Sequence, residues 1–407
     1  MKRRRKCQLF AAATLILLGL GVWMVDRELP DHLHVIEGKE EEQLSDLSFG
    51  SLVTGAVVPV GSQEESNIPA GQVKVECRLL GLIPIKEVEV SHVEETSVIP
   101  CGMPIGIYMQ TDGILVVGTG VVNGMDGLDY EPALNKMQSG DYIVGVNGIS
   151  VGTKEELVEA VNASKGKEVV IQMLREGSLT SVKISPVQTG TEEYKVGLWV
   201  RDDTQGIGTL TYVDEEGNFG ALGHGISDVD TNTILAVREG TLYNADILSI
   251  TKGERGAPGE LCGVIHYQDC GELGTINANT QTGIFGTLSG FPEGYQKGDS
   301  IPVGFKQEIQ EGPAQILCAF DGTVQTYEIE IEKVSMGAGD VNKSMVIHVT
   351  DPELLELTGG IVQGMSGSPI IQNGKFIGAV THVFIQDATR GYGIFAETML
   401  DGGQKSS

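Results

Sequence analysis

From residue 189 to residue 407 the chain is a succession of short apolar segments separated by Gly, Asp and Asn turns. Residues 196–200, 208–213 and 219–222 begin the series, and the 3.6-residue periodicity of amphipathic helices is nearly missing from it. The 56 glycines and the low aromatic content likewise favour turn-rich β structure over a helical bundle. Regularly spaced short strands over this length predict paired β-barrels or a sandwich, and hence a mainly β protein.

One turn in this region carries a serine between glycines, in the sequence Gly364-Met365-Ser366-Gly367-Ser368-Pro369. A strand and a hairpin turn at Asn373-Gly374 are predicted to follow it. The flanking glycines leave the Ser366 hydroxyl uncrowded and allow backbone N–H groups to point at one spot. A nucleophile beside an oxyanion hole needs that arrangement, although an ordinary loop between strands is compatible with the same six residues.

A serine nucleophile needs a base, and His224 is the best-placed histidine of this region. It lies in Gly223-His224-Gly225, directly after the predicted strand 219–222, so its ring is free to reach across a cleft. His382 follows the predicted strand 377–380 and is a rival candidate. His348 lies on an alternating strand, which is more typical of a structural residue.

The base in turn needs a carboxylate that holds its tautomer. Asp351 is the nearest acid upstream of Ser366, but Asp-Pro-Glu at positions 351–353 also suits the start of a helix, with Asp351 as its N-cap. Spacing alone does not favour Asp351 over the other candidates, which are Asp228, Asp230 and Asp269.

A compact module is predicted for residues 99–188. It contains a helix at 153–163 with Thr153 as N-cap and Glu156 in the capping-box position, followed by strands at 168–175 and 179–184. Two motifs resemble those of a PDZ domain: Ile105-Gly106-Ile107 and the run Gly140-Asp141-x-Ile143-x-x-Val146-Asn147-Gly148. The resemblance implies a groove where an extended peptide adds a strand, its end held by the backbone N–H groups of Ile105, Gly106 and Ile107. Alternatively, these glycines only make turns and the module packs on its neighbour.

The N-terminus resembles a membrane anchor. Five basic residues precede an uncharged apolar run at residues 7–25, which would form a helix of about 28 Å, close to the thickness of a bilayer core. Basic residues before such a run keep the N-terminus in the cytoplasm. Since no small-residue cleavage site follows, an uncleaved signal anchor is favoured over a removed signal peptide, with residues 26–98 as a linker and short β region outside the cytoplasm.

Charge and cysteine usage exclude several functions. Without the five N-terminal basic residues, the exported part has 23 Lys and Arg against 55 Asp and Glu, which argues against nucleic acid and anionic membrane surfaces as partners. No Cys-x-x-Cys or His-Glu-x-x-His motif is present, so we expect neither a metal site nor a cofactor, and a metal-dependent hydrolase is disfavoured. Cys262 and Cys270 could form a disulfide within one hairpin or remain free thiols.

Two segments resemble the motifs of the stage IV sporulation protein B peptidase family. Residues 219–228 are similar to its histidine motif and residues 360–370 to its serine motif, and the order of basic anchor, PDZ module and protease matches essentially the whole chain. The resemblance implies a trypsin-like double β-barrel serine endopeptidase over residues 189–407. It implies His224 as base, Ser366 as nucleophile, Asp351 as acid, and the N–H groups of Gly364 and Ser366 as the oxyanion hole.

The same resemblance implies a biological setting. It points to an endospore-forming bacterium, export from the forespore into the space between two membranes, and self-cleavage, which we expect within residues 40–75. The protein substrate would be a membrane-bound regulator whose cleavage triggers activation of the late mother-cell sigma factor. The alternative from another functional class is a catalytically inert anchored scaffold that binds peptides through the PDZ-like module.

Overall fold

The computed structural model describes residues 23, 26, 29–39, 43, 53–58, 73–79, 82–268, 271–292, 295, 297–337 and 339–404. Within these ranges, no helix combines the length and the apolar composition needed to cross a bilayer. The predicted anchor, residues 7–25, lies outside the described residues except for Trp23.

The first strands form a separate sheet of four. They are β1 (His32–Ile36), β2 (Val53–Val58), β3 (Val73–Leu79) and β4 (Ile83–Val93). The strand order is β1-β4-β3-β2, with β1 parallel to β4 and the other pairs antiparallel. Apolar side chains such as Leu33, Val75 and Val90 are fully buried between them, so part of the predicted linker is a folded sheet.

The next elements form the module in which the PDZ resemblance lies. They are β5 (Ser97–Thr119), β6 (Val122–Asn123), β7 (Asp129–Tyr130), β8 (Tyr142–Val146), β9 (Ile149–Ser150), α1 (Lys154–Ala163), β10 (Val169–Arg175), β11 (Ser178–Ile184), β12 (Val187–Gly190) and β13 (Glu193–Lys195). The capping box of α1 is present as predicted, because Thr153 and Glu156 exchange side-chain to backbone hydrogen bonds. Leu157 and Val161 of this helix are buried against the sheet β11-β10-β8-β5, whereas Val158 is 55% exposed.

A ring of six strands follows. It contains β5 and five new strands. The strands of this region are β14 (Leu198–Val213), β15 (Asn218–Ala221), β16 (Val237–Thr251), β17 (Glu260–Ile265), β18 (Glu272–Thr280) and β19 (Gly283–Leu288), of which β17 lies outside the ring. Pairing runs β5-β14-β15-β19-β18-β16 and returns to β5, which closes the ring, while β17 pairs with β16 outside it. Ile105, Leu210, Phe219 and Leu242 are among the side chains that fill its interior.

Strands β5 and β14 are shared between the ring and the module. Leu198–Arg201 of β14 pair with residues 115–119 of β5 in the module, and the later part of β14 pairs with residues 99–110 of β5 in the ring. The predicted boundary at residue 99 therefore falls inside a continuous strand. One pair of long strands connects the two units without a flexible linker.

The remaining elements include the six strands of a closed barrel. They are β20 (Ile301–Pro302), β21 (Gly312–Ala319), β22 (Val324–Val334), β23 (Met345–Val349), α2 (Pro352–Thr358), β24 (Pro369–Gln372), β25 (Lys375–Phe384), β26 (Asp387–Phe395) and α3 (Ala396–Gln404). The barrel order is β21-β22-β23-β26-β25-β24, with 3-10 turns at Lys306–Glu308 and Val341–Lys343. The hairpin turn predicted at Asn373-Gly374 joins β24 to β25, and both residues have positive φ. The prediction of a mainly β protein is confirmed.

The ring and the barrel share an apolar interface. Tyr212 of β14, Phe285 of β19, Phe376 of β25, Ile394 of β26 and Met399 of α3 form one buried cluster. Complete burial of side chains of this size stabilises a fold by roughly 1.5–3 kcal/mol each. The cluster therefore holds the two units in a fixed orientation, and the loops at their junction are positioned by both.

Candidate active site

Ser366 lies in the turn between α2 and β24, on the edge of the barrel that faces the ring. The buried Met365 side chain anchors the turn in the barrel core, while Ser366 is partly exposed. Gly364 and Gly367 have φ values of 101° and 96°, a region that side chains disfavour. The glycines are required by the backbone itself, as the sequence predicted.

The backbone N–H groups of the serine turn divide into two sets. Those of Met365, Gly367 and Ser368 donate hydrogen bonds to the carbonyl groups of Val362, Val380 and Met365. Among the described residues, no acceptor is bonded to the N–H groups of Gly364 and Ser366. These two N–H groups remain available as donors, and they are the two that the family resemblance implies for the oxyanion hole.

The Ser366 hydroxyl points at the barrel strand that follows the turn. Its Oγ donates a hydrogen bond of 2.8 Å to the carbonyl oxygen of Thr381 on β25. The Thr381 side chain is buried and donates a 2.6 Å hydrogen bond to the carbonyl oxygen of Asn342. This strand is therefore fixed beside the serine.

His224 follows β15 through a turn with unusual backbone geometry. Leu222 and Gly223 have φ values of 71° and 70°, and the Gly223 N–H donates to the Ala221 carbonyl. A positive φ at leucine is rare and costs of order 1–3 kcal/mol, so the surroundings must hold it in place. One such restraint is Asn342, whose Nδ2 donates a 2.7 Å hydrogen bond to the Gly223 carbonyl.

The serine turn and the histidine turn pack directly against each other. A β-carbon at Gly367 would stand 2.6 Å from the backbone nitrogen of Leu222, a distance that no side chain tolerates. Thr209 of β14 ties the junction from the ring side, because its N–H donates to the Ser366 carbonyl and its Oγ1 donates to the Gly364 carbonyl. Two motifs far apart in the sequence are therefore adjacent in space.

The His224 ring is in the state that a general base requires. Its Nδ1 lies 2.9 Å from the carbonyl oxygen of Gly225, and since a carbonyl only accepts, Nδ1 carries the proton and Nε2 keeps a free electron pair. Burial lowers the pKa of His224 below the usual 6.5, and the Gly225 hydrogen bond opposes this only in part. His224 is therefore neutral at neutral pH.

A comparison with known protein families identifies the family of the chain that carries this site. The model of the SpoIVB peptidase S55 family matches residues 192–400, which include both turns. The chain belongs to the SpoIVB peptidase S55 family. It is accordingly a serine peptidase, and the family predicted from residues 219–228 and 360–370 is confirmed.

Solved structures with similarity to this S55 peptidase include proteases and a PDZ domain. The active form of the Rv3671c protease from M. tuberculosis is 14% identical and covers 50% of this chain and 74% of its own, with a TM-score of 0.28. The HtrA-type protease AlgW with a decapeptide is 12% identical and covers 50% of this chain and 54% of its own, with a TM-score of 0.30. The PDZ domain of an SdrC-like protein from Listeria monocytogenes is 18% identical and covers 22% of this chain and 87% of its own, with a TM-score of 0.18.

Asp351 of the S55 peptidase is a helix cap in this structure. Its Oδ1 accepts the N–H groups of Glu353 and Leu354 at the start of α2, and its Oδ2 accepts the N–H of Glu328. No hydrogen bond or ion pair joins Asp351 to His224 in the part of the chain that the structure describes. The predicted role as orienting acid is therefore not supported, because both carboxylate oxygens serve backbone groups elsewhere.

The other candidate acids do not replace it. Asp228 is buried and pairs with Arg201, Asp230 pairs with the same guanidinium, and Asp269 lies outside the described residues. The group bonded to Nδ1 of His224 is a backbone carbonyl, which sequence reasoning missed because any residue can supply it. Asn342 was also missed, since nothing in its sequence neighbourhood distinguishes it.

His382, the rival histidine, also lies in the site. Its ring centroid is 4.8 Å from that of His224, with the two planes at 34°. Burial of part of the ring, the neighbouring His224 and Lys343 lower its pKa to about 4, against a weaker opposing effect of Asp340. His348 pairs with Glu332 on the barrel surface, as a structural residue would.

The predicted peptide-binding residues of the PDZ-like module lie inside the ring. Ile105 and Ile107 are buried in its core, and the backbone of Ile105, Gly106 and Ile107 pairs with β14 on one side and β16 on the other. A peptide cannot add to a strand whose two edges are both occupied. The prediction of a binding groove at these three residues is therefore wrong.

A groove of about 380 Å³ lies instead between α1 and the beginning of β14. Leu198–Arg201 of β14 pair with β5 along one edge only, and no strand among the described residues occupies the other. Trp199 and Val158, on opposite walls, are 68% and 55% exposed. Gly197, which also lines the groove, has a φ of 68° just before the strand.

No group of three or more His, Cys, Asp or Glu side chains among the described residues is arranged to hold a metal ion. Cys262 is a free, partly exposed thiol, and its predicted partner Cys270 lies outside the described residues.

Proposed function

We propose that this serine peptidase is an endopeptidase in which Ser366 is the nucleophile and His224 the general base, on a trypsin-like double β-barrel. The observation that carries the assignment is the packing of Gly367 against Leu222, which brings the serine turn and the histidine turn together at the junction of ring and barrel. The neutral His224 and the two unbonded N–H groups of Gly364 and Ser366 support it.

In the proposed mechanism, the Ser366 Oγ attacks the carbonyl carbon of a peptide while Nε2 of His224 takes its proton. The developing oxyanion accepts hydrogen bonds from the N–H groups of Gly364 and Ser366. His224 then protonates the leaving amine, and water repeats the cycle on the acyl-enzyme. The Gly225 carbonyl fixes the tautomer of His224, which is one of the functions of a triad acid. Its hydrogen bond with Nδ1 keeps Nε2 free to accept the proton.

In the resting arrangement the Ser366 hydroxyl is bonded to the Thr381 carbonyl. A substrate that pairs with β25 would offer its own N–H to that carbonyl and release the hydroxyl, which can then turn towards His224. Substrate binding and alignment of the nucleophile would thus be coupled.

We further propose the setting that the sequence motifs imply. The peptidase is anchored in the forespore membrane through residues 7–25, faces the intermembrane space, cleaves itself within residues 40–75, and cleaves a membrane-bound regulator of sigma-factor activation. Support for this part comes from the family membership and from the basic and apolar N-terminus.

The test is to express the full-length chain as wild type, Ser366→Ala and His224→Ala, and to follow self-cleavage by mass and labelling by a fluorophosphonate. Loss of the nucleophile or the base lowers the kcat of a serine peptidase by a factor on the order of 10⁶. We expect fragments and label in the wild type, no label in Ser366→Ala, and no fragments in either variant. Equal fragments in Ser366→Ala and the wild type would refute the assignment.

A second function, peptide binding, is favoured by the groove between α1 and β14. The free edge of β14 and the apolar wall of Val158 and Trp199 suit an extended peptide that adds a strand. If the Ser366 assignment fails, the anchored peptide-binding scaffold becomes the leading function. If it holds, the groove recruits or regulates substrate for the same peptidase.

A further inference from the structure

His382 occupies a position for which the proposed mechanism has no use. Its ring lies over that of His224, while one side remains open to solvent. It is one residue beyond Thr381, whose carbonyl accepts the Ser366 hydroxyl. The ring therefore lies beside the carbonyl with which a substrate strand is proposed to pair.

The backbone of β25 is irregular at His382. Strand pairing changes from Val380 opposite Gly393 to Val383 opposite Gly391, so β25 has one extra residue there, a β-bulge. Bulges redirect side chains and are common beside active sites. Gly391 faces the bulge, and a β-carbon at that position would stand 2.6 Å from the His382 carbonyl oxygen.

The two histidines are also held by a common support. Nδ2 of Asn342 bonds the carbonyl of Gly223, the residue before His224, and the carbonyl of Asn342 accepts Oγ1 of Thr381, the residue before His382. Because both hydrogen bonds are buried and short, they fix the backbone next to His224 relative to the backbone next to His382.

The direction of the substrate chain follows from the groups around Ser366. In the proposed mechanism the attacked carbonyl lies at the N–H groups of Gly364 and Ser366, and a substrate that pairs with β25 would place its preceding residues in extended form along residues 381–383. Side chains of an extended chain alternate between two faces. If the side chain of the residue whose carbonyl is attacked points away from His224, the side chain of the residue before it turns towards the histidines.

We propose that His382 determines specificity, because its ring fills the space over His224 where the side chain of the second residue before the scissile bond would lie. Substrates with Gly, Ala or Ser at that position are accommodated, and substrates with large side chains there collide with the ring. The inference rests on the proposed roles of Ser366 and His224 and adds the substrate preference of that site.

The experiment profiles the full-length chain against a mixed peptide library, with cleavage sites read by mass spectrometry. The variants are His382→Ala, which opens the space, and His382→Phe, which keeps a ring of similar size. His348→Ala, a histidine on the barrel surface, is the matched control, and Ser366→Ala defines the background.

We expect small residues at the second position in the wild type, His382→Phe and His348→Ala. In His382→Ala, kcat/KM for substrates with Leu or Phe at that position should rise at least about tenfold relative to those with Ala, in line with the 10–200-fold effects of opening or closing an apolar subsite. Cleavage of substrates with small residues should be retained in that variant.

Two results would overturn the inference alone: an active His382→Ala with the wild-type profile, or a loss of rate in His382→Ala that is equal for all substrates. Cleavage in the wild type that Ser366→Ala does not abolish would overturn the proposed function, and this inference with it. The two failures are therefore distinguishable.

Discussion

Gly367 and Leu222 touch so closely that only a glycine fits, and this contact is where the ring meets the barrel at the candidate site. The Leu222 backbone nitrogen would be 2.6 Å from a β-carbon at position 367, and the Thr209 carbonyl oxygen would be 2.4 Å away. Leu222 precedes His224 by two residues, and Gly367 follows Ser366 directly. The spacing of the proposed base and nucleophile is thus set by the backbone itself.

The substitution Gly367→Ala should separate the two turns. A displacement of about 1 Å at a catalytic group costs on the order of 100-fold in rate, so we expect a loss of kcat/KM of at least that size. The control is Gly374→Ala in the β24–β25 hairpin, which has a positive φ of 76° but open space around its β-carbon. The control should lose some stability in urea unfolding and no activity; equal activity of the two variants would contradict the prediction.

The substitution Asp351→Ala should act on stability and leave catalysis intact. Removal of an N-cap costs about 0.5–2 kcal/mol in the free energy of unfolding, and Asp351 caps α2. Thr153→Ala, at the N-cap of α1, is the matched control and should show a similar cost. If Asp351→Ala instead lowers kcat by about 10⁴ with the fold retained, Asp351 orients the base after all and the Gly225 carbonyl does not suffice.

The pH dependence of kcat/KM should reflect the lowered pKa of His224. A base works in its deprotonated form, and burial lowers its pKa, so activity should be full at pH 7 and fall only as the pH drops through a value below 6.5. Peptide hydrolysis measured from about pH 4 to pH 8, with folding checked by circular dichroism, tests this. A midpoint of the pH profile above 6.5 would mean that the unliganded site stabilises the protonated His224 ring, which is the opposite of the effect expected from burial.

The groove between α1 and β14 should bind extended peptides. In a Ser366→Ala background, which prevents cleavage, Val158→Glu should abolish binding of peptides selected by display, because it places a charge on the apolar wall. Leu179→Glu, at an apolar position on β11 that is 66% exposed, is the control and should bind normally. Fluorescence anisotropy measures both, and equal loss of binding in the two variants would exclude the groove as the site.

Local features of the fold were predictable because they depend on residues close in sequence. The capping box needs only Thr153 and Glu156, and the hairpin at Asn373-Gly374 needs two residues with positive φ. The serine and histidine turns could be recognised for the same reason. The cap role of Asp351 was also visible in Asp-Pro-Glu, but the family resemblance outweighed it.

The sequence by itself determined that the protein is mainly β, that it is an S55 serine peptidase, and which two turns carry the proposed nucleophile and base. Only the tertiary structure decided that Gly225 and not Asp351 contacts His224, that the ring of His382 lies against that of His224, and that the free strand edge is on β14 rather than at Ile105–Ile107. Those features depend on contacts between distant segments, such as the hydrogen bond that Asn342 makes to Gly223 across 119 positions. Residue type and periodicity do not show which strand edges are paired in the folded protein, because that pairing depends on packing between segments far apart in the sequence.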